Sequence, residues 1–428
     1  MIRIARTVIT FIYLGATLGW GQSILSSNYP FGLPLRSISS TALSMGGVSV
    51  GVPNDHNVML TNPGNLGTIN ITAFSSLWLV DYLRINDKGL YTDHLQASPR
   101  QLSFALPLGK VGTIAFELNK TTDATFKFSD EKEEVTNINT SLPVYKKTST
   151  DREGGITSWQ AGWGRSIGKY INVGFAYQRA YFTAFNTTIN DVIYMNTSYD
   201  PAKQELDTTY TTESVRDSTH MTHGGNGIRF GILSTIKKLS IGIASNFFFA
   251  GDLSFFNAEY NGSSKTPVDP TVQPKKFTLR MPHSLAAGIS YAFSPKWLVG
   301  ADVGVDLWKY YSLKGYKIVK QFDSENTVSF STGFRFIPAP NQLIPKYWET
   351  IHYRAGMRYS QLPGGVSSEI SGSLGFGFPL KGNGLLDIGF ELGKRTHDNY
   401  PDYNETFLQI SLGLNGGRKW NKTPTTTY

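Results

Sequence analysis

Apolar residues alternate with polar residues or glycine at a period of two from about residue 71 to the end of the chain. The clearest run pairs Leu408, Ile410, Leu412 and Leu414 with Gln409, Ser411, Gly413 and Asn415. A period of two places each set on its own face of a strand. The chain is therefore predicted to be all-β, with one apolar and one polar face on each strand.

Fourteen such runs follow one another, which is an even number. They span residues 71–82, 99–108, 111–128, 156–167, 171–186, 224–236, 239–257, 277–293, 297–312, 326–337, 351–361, 367–379, 384–396 and 405–415.

The connections between the runs alternate in length. The short ones are 109–110, 168–170, 237–238, 294–296 and 381–383, and the long ones are 83–98, 129–155, 187–223, 258–276 and 313–325. The connection 338–350, with three prolines, is long where a short one belongs. Alternating lengths are typical of an up-and-down barrel in an outer membrane. The predicted fold is a transmembrane antiparallel β-barrel of about fourteen strands over residues 71–428, with an N-terminal hatch or plug segment.

A soluble β-sandwich is the alternative, but it has no reason to sort its connections by length. In a barrel, a one-residue slip would turn Arg335, Arg354 and Arg358 toward lipid. Each arginine would cost about 2–4 kcal/mol near the bilayer midplane. The register is therefore expected to be strongly specified.

Aromatic residues cluster near the predicted strand ends and suit two interfacial girdles. Trp308, Tyr310 and Tyr311 are expected at one end, and Phe293, Trp297 and Trp420 at the other.

Residues 1–21 resemble an export signal. Arg3 and Arg6 precede a largely apolar stretch, and Gly19 and Gly21 lie near the expected cleavage position. No later stretch approaches 18 consecutive apolar residues. The expected location is the outer membrane of a Gram-negative-type bacterium, with membrane lipid as a partner.

Composition excludes several classes of site. The chain has no cysteine, so disulfides and thiolate chemistry are ruled out. The formal charge of +8 on 428 residues is mild, and no basic cluster is interleaved with aromatics, so nucleic acid is not an expected partner.

Residues 22–70 do not alternate and form the predicted hatch. Its motif residues are Met45, Gly46, Gly47, Asn62, Pro63 and Gly64. Glycine pairs permit tight backbone geometry and Asn-Pro starts a turn. A segment this short cannot bury a core alone, so it is expected to pack inside the barrel.

The Met-Gly-Gly stretch and the Asn-Pro turn, followed by fourteen strands, resemble the outer-membrane transporters of long-chain fatty acids and aromatic hydrocarbons (the FadL/TodX type), and also related barrels of secretion systems. The resemblance implies a hatch carrying Asn62-Pro63 and a diffusion path for hydrophobic ligands that can leave sideways through the wall. Gly64 and Asn65 depart from the usual Asn-Pro-Ala-Gly.

Charged residues on the polar parity are the candidate lumen sites. They are Asp302, Asp306, Arg335, His352, Arg354, Arg358, Asp387 and Glu391. Neighbouring strands lie about 4.8 Å apart, so acids and bases can reach each other. A salt-bridged network that holds the hatch is one reading, and a ligand or ion path is the other.

Catalytic and metal readings are weak. There is no Gly-x-Ser-x-Gly elbow, and no catalytic residue or cofactor is expected. His220 and His223, with Asp217, share the longest predicted loop, where solvation is favoured over a metal site. Asp130, Glu131, Glu133 and Glu134 begin another predicted loop, where a solvated charge run is favoured over a calcium site.

Two functions remain after an enzyme is set aside. The first is passive passage of hydrophobic small molecules such as fatty acids or hydrocarbons. The alternative is a non-transporting partner or docking barrel of a secretion system, for which the large predicted loop 187–223 is the motive.

Overall fold

The computed structural model describes residues 19–20, 31–35, 39–53, 57–134, 144–200, 205–314, 325–340, 342, 344–363, 367–380 and 383–418. The strands are β1 Gly19–Trp20, β2 Leu33–Pro34, β3 Thr72–Asp87, β4 Leu90–Pro107, β5 Thr113–Lys120, β6 Thr122–Asp123, β7 Phe126–Glu134, β8 Val144–Ile167, β9 Ile171–Asp200, β10 Glu205–Ile236, β11 Leu239–Phe248, β12 Gly251–Asn261, β13 Lys275–Arg280, β14 His283–Ala292, β15 Trp297–Leu307, β16 Ser312–Lys314, β17 Thr327–Phe336, β18 His352–Gln361, β19 Ser367–Leu380, β20 Gly384–His397 and β21 Tyr403–Arg418. The helices are α1 Ser40–Leu43, α2 Tyr347–Thr350 and three 3-10 turns, Pro63–Thr68, Gly109–Val111 and Trp308–Tyr310.

The strands close into one antiparallel barrel of fourteen wall strands. Four wall strands are interrupted and consist of β5 to β7, β11 and β12, β13 and β14, and β15 and β16. The last strand, β21, pairs with β3 from Arg418 opposite Thr72 to Tyr403 opposite Asp87, so the first and last wall strands are joined. The predicted fold class is confirmed, and each predicted run lies on a wall strand.

The period of two separates the two sides of the wall. Along β5, exposed and buried residues alternate, with Phe116 49 % exposed and Glu117 1 % exposed. Apolar side chains of the exposed parity face outward, where lipid would contact them.

The barrel is much taller on one side than expected. The predicted long connection 187–223 is wrong, because β8, β9 and β10 continue as strands of 24, 30 and 32 residues. About 10 residues suffice to cross a membrane, so the outer halves of these strands project well beyond it. We call this projection the outer sheet and this side of the barrel the tall end; the opposite side is the short-turn end.

The predicted loops 83–98 and 129–155 are also largely strand. β3 and β4 pair up to a turn at Lys88 and Gly89, and β7 pairs with β8 through Glu134 opposite Val144. Residues 135–143 lie outside the described part of the chain.

Two expected girdle residues point inward. Trp308 is buried, and Tyr311 packs with it against an interior apolar cluster, whereas Tyr310 is exposed. Phe293 and Trp297 are exposed near the short-turn end as predicted, and Trp420 lies outside the described residues. No helix in the described ranges is long and apolar enough to span a membrane.

Candidate functional site

The N-terminal segment, residues 39–53 and 57–69, lies in the bore of the barrel. It contacts an inward-facing residue of every one of the fourteen wall strands. The contacted residues are Ser75, Gln101, Glu117, Gly164, Gly174, Arg229, Gly242, Ser290, Asp302, Gly333, Gly356, Ser373, Asp387 and Asn415. Only a segment surrounded by the wall can touch all of its strands.

The Asn-Pro turn joins this segment to the wall. Asn62 Nδ2 donates to the Val50 carbonyl at 2.8 Å and to the Ile232 carbonyl of β10 at 3.1 Å. Asn62 Oδ1 accepts from the Gly64 amide at 3.0 Å and caps the 3-10 turn that begins at Pro63. The fully buried Asn62 amide therefore fixes the turn and anchors it to the wall at once.

The Met-Gly-Gly stretch follows α1 and turns the chain. Gly46 and Gly47 have φ of 68° and 96°, which favours glycine. The Gly46 amide donates to Ser373 Oγ of β19 at 2.9 Å. Met45 is buried between the glycines of β17 and β18.

Wall glycines permit the segment to approach the barrel backbone closely. A Cβ on these glycines would lie less than 3.0 Å from an atom of the N-terminal segment: Gly164, Gly174, Gly231, Gly242, Gly288, Gly300, Gly333, Gly356, Gly375, Gly389 and Gly413. Several are partners in the strand register, as in the row Gly300, Gly333 and Gly356. We call this set the glycine belt.

Arg354 and Asp387 form an ion pair that is almost fully buried. Asp387 Oδ2 also accepts from Ser40 and Thr41 of α1 at 3.1 Å and from Asn415 at 2.6 Å. The carboxylate therefore links α1 to three wall strands, β18, β20 and β21.

Asp302 of β15 holds the next part of the segment. Its Oδ2 accepts from the Ser49 and Val50 amides at 2.6 and 2.8 Å. Arg358 lies two strands away in the same row, because Ser331 is the register partner of both residues.

The other predicted lumen charges are spread over the wall. His352 contacts Arg354 at 3.2 Å, and Arg335 is the register partner of Arg354. Asp306 lies four residues beyond Asp302 on the same strand, which is two periods of the alternation, and Glu391 is buried opposite Gln409. These four residues lie on four different strands, β15, β17, β18 and β20.

A buried polar cluster around Glu117 is not among the predicted sites. Its carboxylate accepts from the Leu60 amide, Gln101 and Asn119 at 3.0, 3.0 and 2.6 Å. Arg229 of β10 donates to the Leu60 carbonyl at 3.0 Å. Glu117 thus binds the Leu60 amide, and Arg229 binds the Leu60 carbonyl. In the sequence, Glu117 and Arg229 each lie between two apolar residues, and this pattern could have identified them as inward-facing charges.

An apolar cluster fills the bore toward the tall end. It consists of Phe31, Ile156, Ala180, Phe182, Ala184, Phe248, Leu253, Leu279, Met281 and Trp308. The Phe31 ring lies edge-on to Phe182 and Tyr311, with centroids 5.3 and 5.8 Å apart. Phe31 precedes the N-terminal segment in the sequence, so the chain supplies an aromatic ring from near its start to its own interior cluster.

Beside this cluster, the described residues of the third wall strand do not pair with β4 along its whole length. The ladder between β4 and β5 ends at Gln101 opposite Asn119. Beyond it, the described residues of β7 pair with β8 and not with β4. We call the space between Leu90–Arg100 and β7 the wall gap. The only described strand at its β4 edge is β1, which pairs with Leu95 and Gln96.

Residues 31–35 lie at the base of the wall gap. β2 pairs with β6 there, and the Leu35 amide donates to the Thr121 carbonyl at 2.7 Å. Arg100 forms a buried ion pair with Asp81 at 2.6 Å at the same level. The residues that carry Phe31 therefore also cover the lower margin of the gap.

The histidine and acidic candidates lie on strands, so the predicted loops are wrong. His220 and His223 belong to β10 and are three residues apart, which places them on opposite faces. His220 stacks on Phe185, and His223 Nδ1 contacts the Asp252 carbonyl. No group of three metal-ligating side chains occurs in the described ranges.

The predicted acidic loop is also strand. Asp130, Glu131, Glu133 and Glu134 belong to β7, and their side chains lie outside the described part.

The fold and bore define a class: fourteen-stranded outer-membrane-type barrels whose lumen is occupied by their own N-terminal segment. The chain belongs to the BamG family, whose model matches residues 1–423. No curated protein matches this chain in sequence.

Solved structures share the fold at low identity. The monoaromatic hydrocarbon channel CymD is 16 % identical, with a TM-score of 0.54 and coverage of 89 % of this chain and 98 % of CymD. The toluene transporter TodX of P. putida is 13 % identical, with a TM-score of 0.53 and coverage of 90 % and 100 %. A FadL homologue of Pseudomonas aeruginosa is 12 % identical, with a TM-score of 0.58 and coverage of 90 % and 99 %. The predicted resemblance to the FadL/TodX type is confirmed for the fold.

Proposed function

We propose that this protein is an outer-membrane barrel through which small apolar molecules pass sideways, from the outer medium into the bilayer. The observation that carries the proposal is the wall gap beside the interior apolar cluster. An apolar molecule that enters the tall end meets aromatic and aliphatic side chains. It reaches the bilayer through the gap without crossing the periplasmic half of the bore.

The N-terminal segment supports the sideways route over an axial one. Its contacts to all wall strands leave the short-turn half of the bore closed. A molecule that moved straight through would have to displace buried hydrogen bonds and the Arg354–Asp387 pair. The lateral route requires residues 31–35 to move, and a two-residue ladder is part of what holds them.

The interior apolar cluster indicates the chemistry of the molecules that would pass. The cluster consists of aliphatic and aromatic side chains, and aromatic rings in it contact one another edge-on. Solved barrels of this fold include channels described as carrying monoaromatic hydrocarbons and toluene. A monoaromatic hydrocarbon or the tail of a fatty acid matches the cluster.

A cross-link tests this route. Pro34 and Thr122 are register partners, and the chain has no cysteine of its own. The double variant Pro34→Cys, Thr122→Cys is reconstituted into vesicles with lipopolysaccharide in the outer leaflet. Uptake of radiolabelled toluene and palmitate is then measured. We expect oxidation to reduce uptake to the level of protein-free vesicles, and a reductant to restore it.

The matched controls are the two single-cysteine variants, which cannot form this bridge. Uptake by the wild-type chain equal to that of protein-free vesicles would overturn the proposal. Full uptake by the oxidised double variant would exclude residues 31–35 as a barrier.

The outer sheet favours a second candidate function, the docking of a partner protein at the cell surface. The described residues from Asp191 to Glu213 of β9 and β10 form ladders with each other and with β8. They contribute nothing to the described apolar cores. A sheet that stands outside the membrane, with described residues that join none of the apolar clusters, suits a protein partner.

A further inference from the structure

The described connections at the short-turn end of the barrel carry lysines but almost no acids. The connections described there carry Lys110, Lys169, Lys237, Lys238, Lys296 and Lys346, all exposed. We call this set the lysine ring. Within the described connections 108–112, 168–170, 237–238, 293–296 and 337–351, the one acid is Glu349. It caps α2 by accepting from the Lys346 amide at 2.9 Å.

The tall end has no such bias. Its described turns at 88–89, 262–274 and 398–402 carry Lys88 and Lys265 together with Asp269, Asp398 and Asp402. The positive charge of the short-turn end is therefore a local feature and does not follow from the mild net charge of the chain.

The lysine ring lies at the level of the aromatic girdle. The Lys169 ammonium is 5.4 Å from the ring centroid of Tyr170, and Lys238 Nζ donates to the Phe293 carbonyl at 2.7 Å. Tyr170 and Phe293 are both exposed. Aromatic belts mark the interface between hydrocarbon and headgroups, and long lysine side chains extend from it toward the headgroups.

The long connection 337–351 adds exposed apolar side chains at the same end. Ile344 is 94 % exposed, Tyr347 51 % and Trp348 69 %. We call these three residues the apolar finger. The finger is held in place, because Tyr353 donates its hydroxyl to the Trp348 carbonyl at 3.3 Å and the Ala339 amide donates to the Glu349 carbonyl at 2.9 Å.

We propose that the short-turn end binds anionic phospholipid headgroups through the lysine ring and inserts the apolar finger into the same leaflet. Basic side chains near a membrane surface attract anionic lipids over about one Debye length. Tryptophan and tyrosine favour the interface. The turns that carry the lysines are spread around the circumference, which suits a lipid annulus, whereas a protein partner would contact one side. The inference rests on membrane insertion of the barrel and not on passage of apolar molecules.

Fluorescence quenching by brominated lipids tests the lysine ring. The barrel is reconstituted into vesicles of phosphatidylcholine and phosphatidylglycerol in which only one of the two lipids is brominated. The extent of tryptophan quenching in the two kinds of vesicle gives the affinity of the barrel for phosphatidylglycerol relative to phosphatidylcholine. We expect a preference for phosphatidylglycerol of roughly fivefold or more, the factor expected from one lysine near an anionic surface. The variant with all six ring lysines changed to glutamine should lose the preference.

A matched variant changes the same residue type at the tall end: Lys88→Gln, Lys265→Gln, Lys275→Gln and Lys276→Gln. It should keep the wild-type preference. A gel shift on heating shows that each variant is folded. Equal affinity of the wild-type chain for the two lipids overturns the proposal, and so does an unchanged preference in the six-lysine variant.

The finger is tested through Trp348 itself. The difference in quenching between the wild-type chain and Trp348→Phe isolates this side chain. Lipids brominated near the headgroup should quench it strongly. Quenching of Trp348 by aqueous iodide would instead place the apolar finger in water and overturn its insertion. Binding of an acidic protein to the short-turn end would then assign this surface to a protein partner.

Discussion

The Arg354–Asp387 pair illustrates how single residues hold the N-terminal segment. Arg354→Ala leaves the Asp387 carboxylate buried without its cation. Breaking a buried pair in this way costs about 3–5 kcal/mol. We expect a lower temperature for the heat-induced gel shift of the folded barrel.

The control is Arg84→Ala, which breaks an exposed pair with Asp93. Exposed pairs contribute little, so its transition should match that of the wild-type chain. Equal losses in both variants would contradict the assigned role of Arg354. Ion flow through planar bilayers should stay unchanged in Arg354→Ala if the segment remains seated.

The glycine belt gives a second prediction at this scale. A Cβ at Gly356 would meet the backbone of Met45 and Gly46, which cannot move aside as a flexible side chain can. Gly356→Ala should therefore lower heat stability.

Gly372 is the matched control, since it lies on the neighbouring strand β19 and a Cβ there meets no atom within 4 Å. Gly372→Ala should leave the transition where it is. A stable Gly356→Ala chain would show that the segment can shift away from the wall.

At the residue level, the sequence signal is strongest where a charge interrupts a strongly alternating strand. Asp302 and Asp387 stand out because their strand neighbours are apolar, and both contact the segment. Trp308 was misplaced because an aromatic residue at a strand end suits either a girdle or an interior cluster. Its partner Phe31 is some 280 positions away, beyond the reach of any local pattern.

Among elements, the wall strands were predictable and the outer sheet was not. Apolar and polar residues alternate along a strand when its two faces lie in different environments, as along Leu408, Ile410 and Leu412. In the outer sheet both faces meet water, so polar residues such as Thr150 and Thr188 occur on the paired strands. A strand with two polar faces has the composition of a loop, which explains why the segment 187–223 was misassigned.

Shortening the outer sheet tests its independence from the barrel. Asn190 and Val215 are register partners, so residues 191–214 can be replaced by a two-residue turn without changing the register below. We expect the heat-induced gel shift and toluene uptake to match those of the wild-type chain. Binding of a cell-surface partner should be lost if the second candidate function holds.

The control is the same deletion in a chain that also carries Gly356→Ala. Gly356→Ala should lower heat stability by the same amount with and without residues 191–214. A large loss of stability from the outer deletion alone would show that the sheet supports the wall.

For the molecule as a whole, we expect the N-terminal segment to determine whether the bore conducts. With it in place, we expect no large steady ion current in planar bilayers. Deleting residues 39–69 removes the contacts to all fourteen strands and should open a water-filled pore, since a barrel of this size leaves a lumen. Single-channel recording measures the difference.

The heat-induced gel shift confirms that the deleted chain still forms a barrel. Deleting residues 191–214 instead, which lie outside the bore, should create no pore. Equal conductance of the wild-type chain and the 39–69 deletion would show that the segment does not close the bore.

The contacts between the N-terminal segment and every wall strand also order the events of folding. Residues 39–69 leave the ribosome before any wall strand, yet their partners include Gly413 and Asn415 near the other end of the chain. The segment can reach its final position only when the sheet has curled far enough to bring those strands around it. The residues that are synthesised first are therefore among the last to find their native neighbours.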